Sequence, residues 1–226
     1  MLQSVRKGFG FRQTMTVGNT PATGGQSEFQ IQTAPGKSTF KGDPVNIQST
    51  GNQGFLQNAA QATMDDGLTG GASWANNSGA TGGIAGVFNG AFYIDSTGKP
   101  TFANSVVAGV TTSKDYNTGN DNITAFANTN PSQEYTVRLN AALAGSAAAA
   151  QALLNSSNFF NPIDEVDSDA IDGLSRITLS VATNGASDTN GMFRLVRNAN
   201  IEEQDDLLTA GAQVVVIIQP ASALYN

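Results

Sequence analysis

A chain of 226 residues, 39% hydrophobic and 13% charged, is long enough to bury a core without staples, so neither disulfides nor a structural metal is forced on it. It contains no Cys and no His, which excludes the usual zinc sites, thiol nucleophiles, Ser-His-Asp triads and imidazole acid–base chemistry; no cofactor is expected. The net charge of −7 divides unevenly: residues 1–41 carry five basic side chains and one acid (+4), and 42–226 carry six and seventeen (−11). An acidic body is a poor wrapper of nucleic acid, whereas a basic leading stretch suits an acidic protein surface. The opening MLQSVRKGFGFRQT has no apolar core behind its basic pair and reads as neither a secretion signal nor an anchor. The longest apolar run, Val214 to Ile218, is too short for a bilayer, so a soluble chain without a membrane partner is expected.

The first forty-one residues hold extended pieces, Phe9 to Val17 and Glu28 to Thr33, punctuated by Gly-Asn-Thr-Pro and Thr-Gly-Gly turns. Gly42-Asp43-Pro44 gives a further turn before the short strand Val45 to Ile47. Residues 49–82 lack periodicity and read as a long inserted surface loop holding the single tryptophan, Trp74, a loop residue before it is a contact anchor.

Ile84 to Ile94 and Lys99 to Val107 form the clearest hairpin around Ser96-Thr97-Gly98. Val87, Ala91 and Tyr93 share one parity and Phe88, Phe92 and Ile94 the other, so both faces are expected to be partly buried. Gly86 and Gly90 mark bulges or close backbone approach. Strands are then expected at Ile123 to Ala127, Glu134 to Leu139, Arg176 to Ala182, Met192 to Asn198 and Ala212 to Gln219. The Ala- and Leu-rich stretch between Asn140 and Ser156 predicts one short helix, split or delayed by Gly145 and Ser146.

The expected fold is therefore all-β, a small barrel or sandwich of roughly seven to ten short strands with one helix at about 140–156. Residues 1–41 would be an N-terminal arm or extended strands, and 42–226 a barrel-like domain carrying the loop 49–82.

Three patterns could carry chemistry. Gly36-Lys37-Ser38-Thr39 matches the tail of a phosphate-binding loop, but Ile31 stands where the leading glycine is needed, so a β-turn is the plainer reading. Asp164, Glu165, Asp167, Asp169 and Asp172 cluster before Gly173, yet the glycine falls at position seven from Asp167 and position twelve has no acid, unlike a calcium loop. This run and the second one, Glu202 to Asp206, read as solvated acidic loops, and no metal site is assigned. Spacing singles out no carboxylate pair for glycoside hydrolysis, so no catalytic residue is assigned.

Several blocks resemble, in order, a family of small β-rich structural proteins of tailed phages, the head decoration or capsid cement proteins. They are Gly8 to Arg12 (GFGFR), Lys41 to Val45 (KGDPV), Gly83 to Phe102, Asn130 to Leu139, Gly173 to Val181 and Met192 to Pro220. The hallmark hairpin GVF-x-G-x-x-Y-x-D-x-x-G-x-P-x-F is matched by Gly86 to Phe102, and the strand NP-x-Q-x-Y by Asn130 to Tyr135. The chain departs from the family in its longer stretch between KGDPV and the hairpin.

The resemblance implies a non-enzymatic virion protein, made in the host cytoplasm, that coats the outer capsid surface. Its implied partners are the major capsid protein and copies of itself, a trimer at local threefold positions being favoured. Arg6, Lys7 and Arg12 are the candidate capsid contacts, by charge complementarity with an acidic shell. A head-fibre or tail-associated adhesin shares the same composition and is the alternative, with a virion-borne hydrolase behind it.

Overall fold

The computed structural model describes residues 8–17, 20–21, 25–32, 35, 37–47, 54–59, 84–112, 123–154, 159–163, 172–181, 192–200 and 206–218. Among these, sixteen strands and one helix follow in chain order. The first part of the chain forms β1 (Arg12–Thr16), β2 (Thr20–Pro21), β3 (Gln26–Ile31), β4 (Thr39–Phe40), β5 (Pro44–Ile47) and β6 (Leu56–Asn58). The middle forms β7 (Ile84–Ile94), β8 (Pro100–Ala103), β9 (Ser105–Val106), β10 (Ile123–Asn128) and β11 (Gln133–Arg138), then the helix α1 (Ala147–Leu153). The last part forms β12 (Phe159–Phe160), β13 (Pro162–Ile163), β14 (Thr178–Leu179), β15 (Phe193–Asn198) and β16 (Gln213–Ile218).

Two antiparallel sheets dominate. The first has the order β12-β15-β16-β11-β1-β2, and the second β3-β10-β7-β5-β6 with β8 added to the far half of β7. They form a sandwich with no closed barrel, which resolves the barrel-or-sandwich choice. The Val- and Ile-rich β16 is buried along its whole length, as its unbroken apolar run requires, and its register places Val214 opposite Val137 and Val216 opposite Tyr135.

One core joins the sheets: Phe11, Tyr135, Val137, Phe193, Leu195 and Val216 from the first meet Ile84 and Val87 from the second. A second core lies on the other face of the second sheet, where Ile31, Val45, Leu56, Phe88, Ala91 and Ile123 cluster under Val106. Burying each such large side chain is worth about 1.5–3 kcal/mol.

A bulge sorts β7 between these cores. Phe126 pairs with Gly90 and Ala127 with Phe88, leaving Asn89 extra, so Phe88 and Ala91 share a face while Val87 and Phe92 share the other. The parity expected from sequence alone therefore slips by one within the strand, and Gly90 takes the turn with φ of 135°. At the hairpin tip Asp95 Oδ1 accepts from the Thr97 backbone N–H, the Thr97 hydroxyl and the Lys99 N–H, which pins the turn completed by Gly98.

α1 is shorter than expected because Ser146 caps it, its Oγ accepting from the Ala149 N–H at 3.3 Å. Seven residues do not hold a helix alone; Ala150 packs into the first core with Leu153 and Leu154 beside it.

Other expectations need correction. Residues 49–82 are not loop throughout, because Leu56–Asn58 pairs with β5 and buries Leu56 and Ala59; residues 49–53 and 60–82, with Trp74, lie outside the described residues. The described part of residues 1–41 is not a separate arm: β1 pairs with β11, β3 with β10, and Phe11 stacks on Phe193 with ring centroids 4.2 Å apart. Of the strand expected from Arg176 to Ala182, only Thr178–Leu179 is strand among the described residues 176–181, and Ala182 lies outside them. The strand count exceeds expectation because two-residue rungs such as β4 and β9 are too short to show periodicity.

Candidate functional site

The blocks GFGFR, KGDPV, the hairpin and GLSRITLSV converge on one junction between the sheets. Gly10 donates its N–H to the Ile177 carbonyl at 3.2 Å, and Phe11 donates to the Gly42 carbonyl at 2.9 Å. Gly42 in turn donates to Phe88, and Phe88 donates back to the Asp43 carbonyl, at 2.9 and 2.8 Å. The Lys41 N–H is shared between the carbonyls of Asn104 and Gly173, and its own carbonyl accepts from Ser175. Gly42 has φ of 98°, a region that disfavours any side chain. The buried Asp43 carboxylate accepts from the Phe40 N–H and the Asn58 amide, closing the KGDPV turn from within.

Above this junction opens a cleft of about 270 Å³. Its polar lining is Arg12 and Gln13 of β1, Lys41, Asn89 of β7 and Asn128 at the end of β10; Phe9, Phe11, Phe88 and Tyr135 supply the apolar wall. Among the described residues the lining contains two cations and no carboxylate. The Arg12 guanidinium lies 4.7 Å from the Phe9 ring centroid and that of Arg138 5.2 Å, so Phe9 holds both by cation–π attraction. Gln13 donates to Gln133 at 2.9 Å, and Asn89 donates to Gln26 at 3.1 Å.

Asn128 is 4% exposed, and its side-chain oxygen has no hydrogen-bond partner among the described residues. An acceptor left bare in a buried position costs about 1–3 kcal/mol, which a donor from a ligand would recover. Beneath it the Tyr135 hydroxyl donates to the Asn128 backbone carbonyl at 3.3 Å, and burial pushes this phenol well above its ordinary range, keeping it neutral.

Of the three sequence-proposed contacts, Arg12 lines the cleft, while Arg6 and Lys7 lie outside the described residues. Sequence reasoning missed Lys41, Asn89 and Asn128. In the sequence Lys41 stands in the basic stretch and at the head of KGDPV, and neither place marks it as cleft-lining. Nothing in the sequence marks an Asn at a strand end as cleft-lining.

Of 36–39, where a β-turn is a plainer reading than a phosphate loop, Gly36 lies outside the described residues. Thr39 opens β4, the Ser38 hydroxyl accepts from the Ala108 N–H at 3.0 Å, and no helix follows. Of the first acidic run, only Asp172 is described; its carboxylate accepts from the Leu174 N–H at 2.9 Å and pairs with Arg176 at 2.6 Å. Those two contacts, the backbone N–H first, hold its carboxyl below the usual aspartate range. Of the second run, Asp206 is described, and its carboxylate accepts from the Leu208 N–H at 3.0 Å. Among the described residues there is no group of three acids suited to a metal ion. Nor is any helix among them long and apolar enough to cross a membrane.

Comparison with models of known families, with curated proteins and with solved structures finds no match for this chain.

Proposed function

We propose that this chain is a structural virion protein that binds the outer surface of a tailed-phage capsid and stabilises it, working as a symmetric oligomer without a catalytic role. The observation that carries the reading is the junction itself. The blocks that resemble the decoration family are far apart in sequence, yet four of them meet backbone to backbone through Gly10, Gly42, Phe88 and Ile177. A resemblance concentrated at fold-defining contacts speaks for a shared scaffold rather than for coincidence of composition. The basic residues Arg12 and Lys41 on an otherwise acidic chain suit an acidic shell. Phe102, 79% exposed on β8 with its ring 4.7 Å from that of Phe92, offers an apolar contact for a sibling subunit.

Co-sedimentation of the purified protein with undecorated capsids, at low and high salt, is the test. Saturable binding that weakens with salt and raises the temperature at which capsids rupture is expected. Failure to bind any capsid, with binding to host cells or their surface glycans instead, would replace this reading with the adhesin. Turnover of a generic ester, glycoside or phosphate substrate that disappears with one Asp or Glu substitution would replace it with a hydrolase.

A further inference from the structure

The cleft above the junction has the composition of a receptor for an anion rather than of a packing defect. Among the described residues two cations line it and no acid does, and neither Arg12 nor Lys41 forms an ion pair. Such a pocket in a chain with net charge −7 runs against the charge of the molecule around it. Asn128 also lines it, and its side-chain oxygen is a buried acceptor without a partner among the described residues. The complementary ligand must therefore bring both a negative group and a hydrogen-bond donor close to it.

Size and surface narrow the class. At about 270 Å³ the cleft falls just short of the ~300 Å³ at which pockets begin to enclose free small molecules, but it accepts a side chain or two of a docking segment. A sugar acid is disfavoured because the cleft offers no open ring for stacking. Phe11, Phe88 and Tyr135 are buried, and the Phe9 ring already carries two guanidinium groups. A polynucleotide is disfavoured by the seventeen acids after residue 41.

We propose that this cleft seats an acidic side chain, Asp or Glu, presented by an extended segment of a partner protein. Its carboxylate lies between the Arg12 guanidinium and the Lys41 ammonium, and a backbone N–H of the same segment donates to Asn128 Oδ1. Gln13 and Asn89, tethered to Gln133 and Gln26, frame the opening and keep it polar. Phe9 preorganises Arg12, so that less side-chain freedom is lost when the carboxylate arrives. Resting on the decoration reading, this places the principal capsid contact in the body of the sandwich and not in the leading basic residues.

The experiment titrates full-length protein with a labelled hexaglutamate peptide at low ionic strength, beside a glutamine peptide of equal length and a uronate oligosaccharide. Binding of hexaglutamate alone is expected, with backbone amide shifts in nuclear magnetic resonance gathered at Gly42, Asn89 and Asn128. The paired substitutions Arg12→Gln and Lys41→Gln should weaken it about tenfold or more at unchanged melting temperature, because each removes a charge-assisted contact. Absence of hexaglutamate binding, equal binding of the glutamine peptide, preference for the uronate, or shifts scattered away from the cleft would each overturn the proposal. The substituted protein is also sedimented with capsids. Undiminished capsid binding by it would end the cleft proposal while leaving the decoration reading standing. Peptide binding in the cleft by a protein that ignores capsids would end the decoration reading and leave the acidic-peptide site in place.

Discussion

The hydroxyl of Tyr135 donates to the backbone carbonyl of Asn128 at 3.3 Å, tying the middle of β11 in the first sheet to the end of β10 in the second. The same carbonyl faces Gly86 so closely that a Cβ there would stand 2.1 Å from its oxygen. Three strands thus meet around one peptide group, and two of the residues there, Asn128 and Tyr135, line the cleft.

Tyr135→Phe should cost about 1–3 kcal/mol, since it removes the donor and leaves the carbonyl unsatisfied in a buried position. The phenol has a second signature. Burial raises its folded-state pKa above the unfolded value of about 10, so the stability it contributes is complete below that value and is lost as pH climbs beyond it. Urea melts of wild type and Tyr135→Phe at neutral and strongly alkaline pH should converge as pH rises. Ultraviolet titration of the folded protein should leave at least one of its four tyrosines un-ionised until it unfolds.

Gly86→Ala should destabilise by about 1–3 kcal/mol or more, because the added methyl meets backbone that cannot rotate aside. Gly98→Ala is the comparison, since nothing stands within 4 Å of a Cβ there and only its φ of 85° opposes the change. A melt in which Gly98→Ala proves the costlier of the two would contradict the close contact.

The bulge at Asn89 makes unequal partners of two phenylalanines four residues apart. Phe88 is 1% exposed in the second core, so Phe88→Ala should cost about 3–5 kcal/mol. Phe92 is only half-buried and rests against the exposed Phe102, so Phe92→Ala should cost roughly 1–2 kcal/mol. Chemical denaturation of the two variants checks the order.

These residues show what could be read in advance. The hairpin, the apolar strand Val214 to Ile218 and the all-β class follow from residue types and alternation, which short-range sterics and burial impose directly. Gly86 and Gly90 were legible as places of close approach or bulging for the same reason, a missing side chain in an apolar strand. The face assignment of Phe88 and Phe92 was not, because a single extra residue inverts every parity after it. Nor was β6 inside the Gly- and Asn-rich stretch: three residues with one buried Leu carry too little pattern, and their pairing is set by Asp43 and Asn58 across the chain. The cleft was legible only in Arg12. Lys41 and Asn128 become its neighbours through contacts between segments remote in sequence, and local reading cannot supply those.

Glu134 is 6% exposed and pairs with Arg197, itself 40% exposed, across the first sheet. Removing a partner from a fully buried pair costs about 3–5 kcal/mol; with one member open to solvent, Arg197→Ala should cost about 1–3. Arg197→Ala combined with Glu134→Gln should recover part of that loss, since no uncompensated carboxylate then remains. Strictly additive losses in this double-mutant cycle would show that the two side chains do not act as a pair.

Asp172 links acidity to the cleft. Its carboxylate accepts from the Leu174 N–H and pairs with Arg176, and so clasps the turn at Gly173, whose carbonyl accepts from the Lys41 N–H. The first of these contacts does most to lower its pKa in the folded chain below the ordinary 3.8. A depressed carboxylate pKa stabilises above the unfolded value, and the contribution fades as pH falls from there through the lower, folded value. The carboxylate lies at the surface, so the change is local: the turn should loosen before the sheets melt. Amide exchange between about pH 5 and 2, corrected for its intrinsic pH dependence, should show Leu174 and Lys41 losing protection ahead of Val214 to Val216. Asp172→Asn should abolish the acid-dependent step at Leu174 and Lys41 while leaving the core amides unchanged. Equal acid-induced exposure in Asp172→Asn and wild type would remove Asp172 from the turn's control.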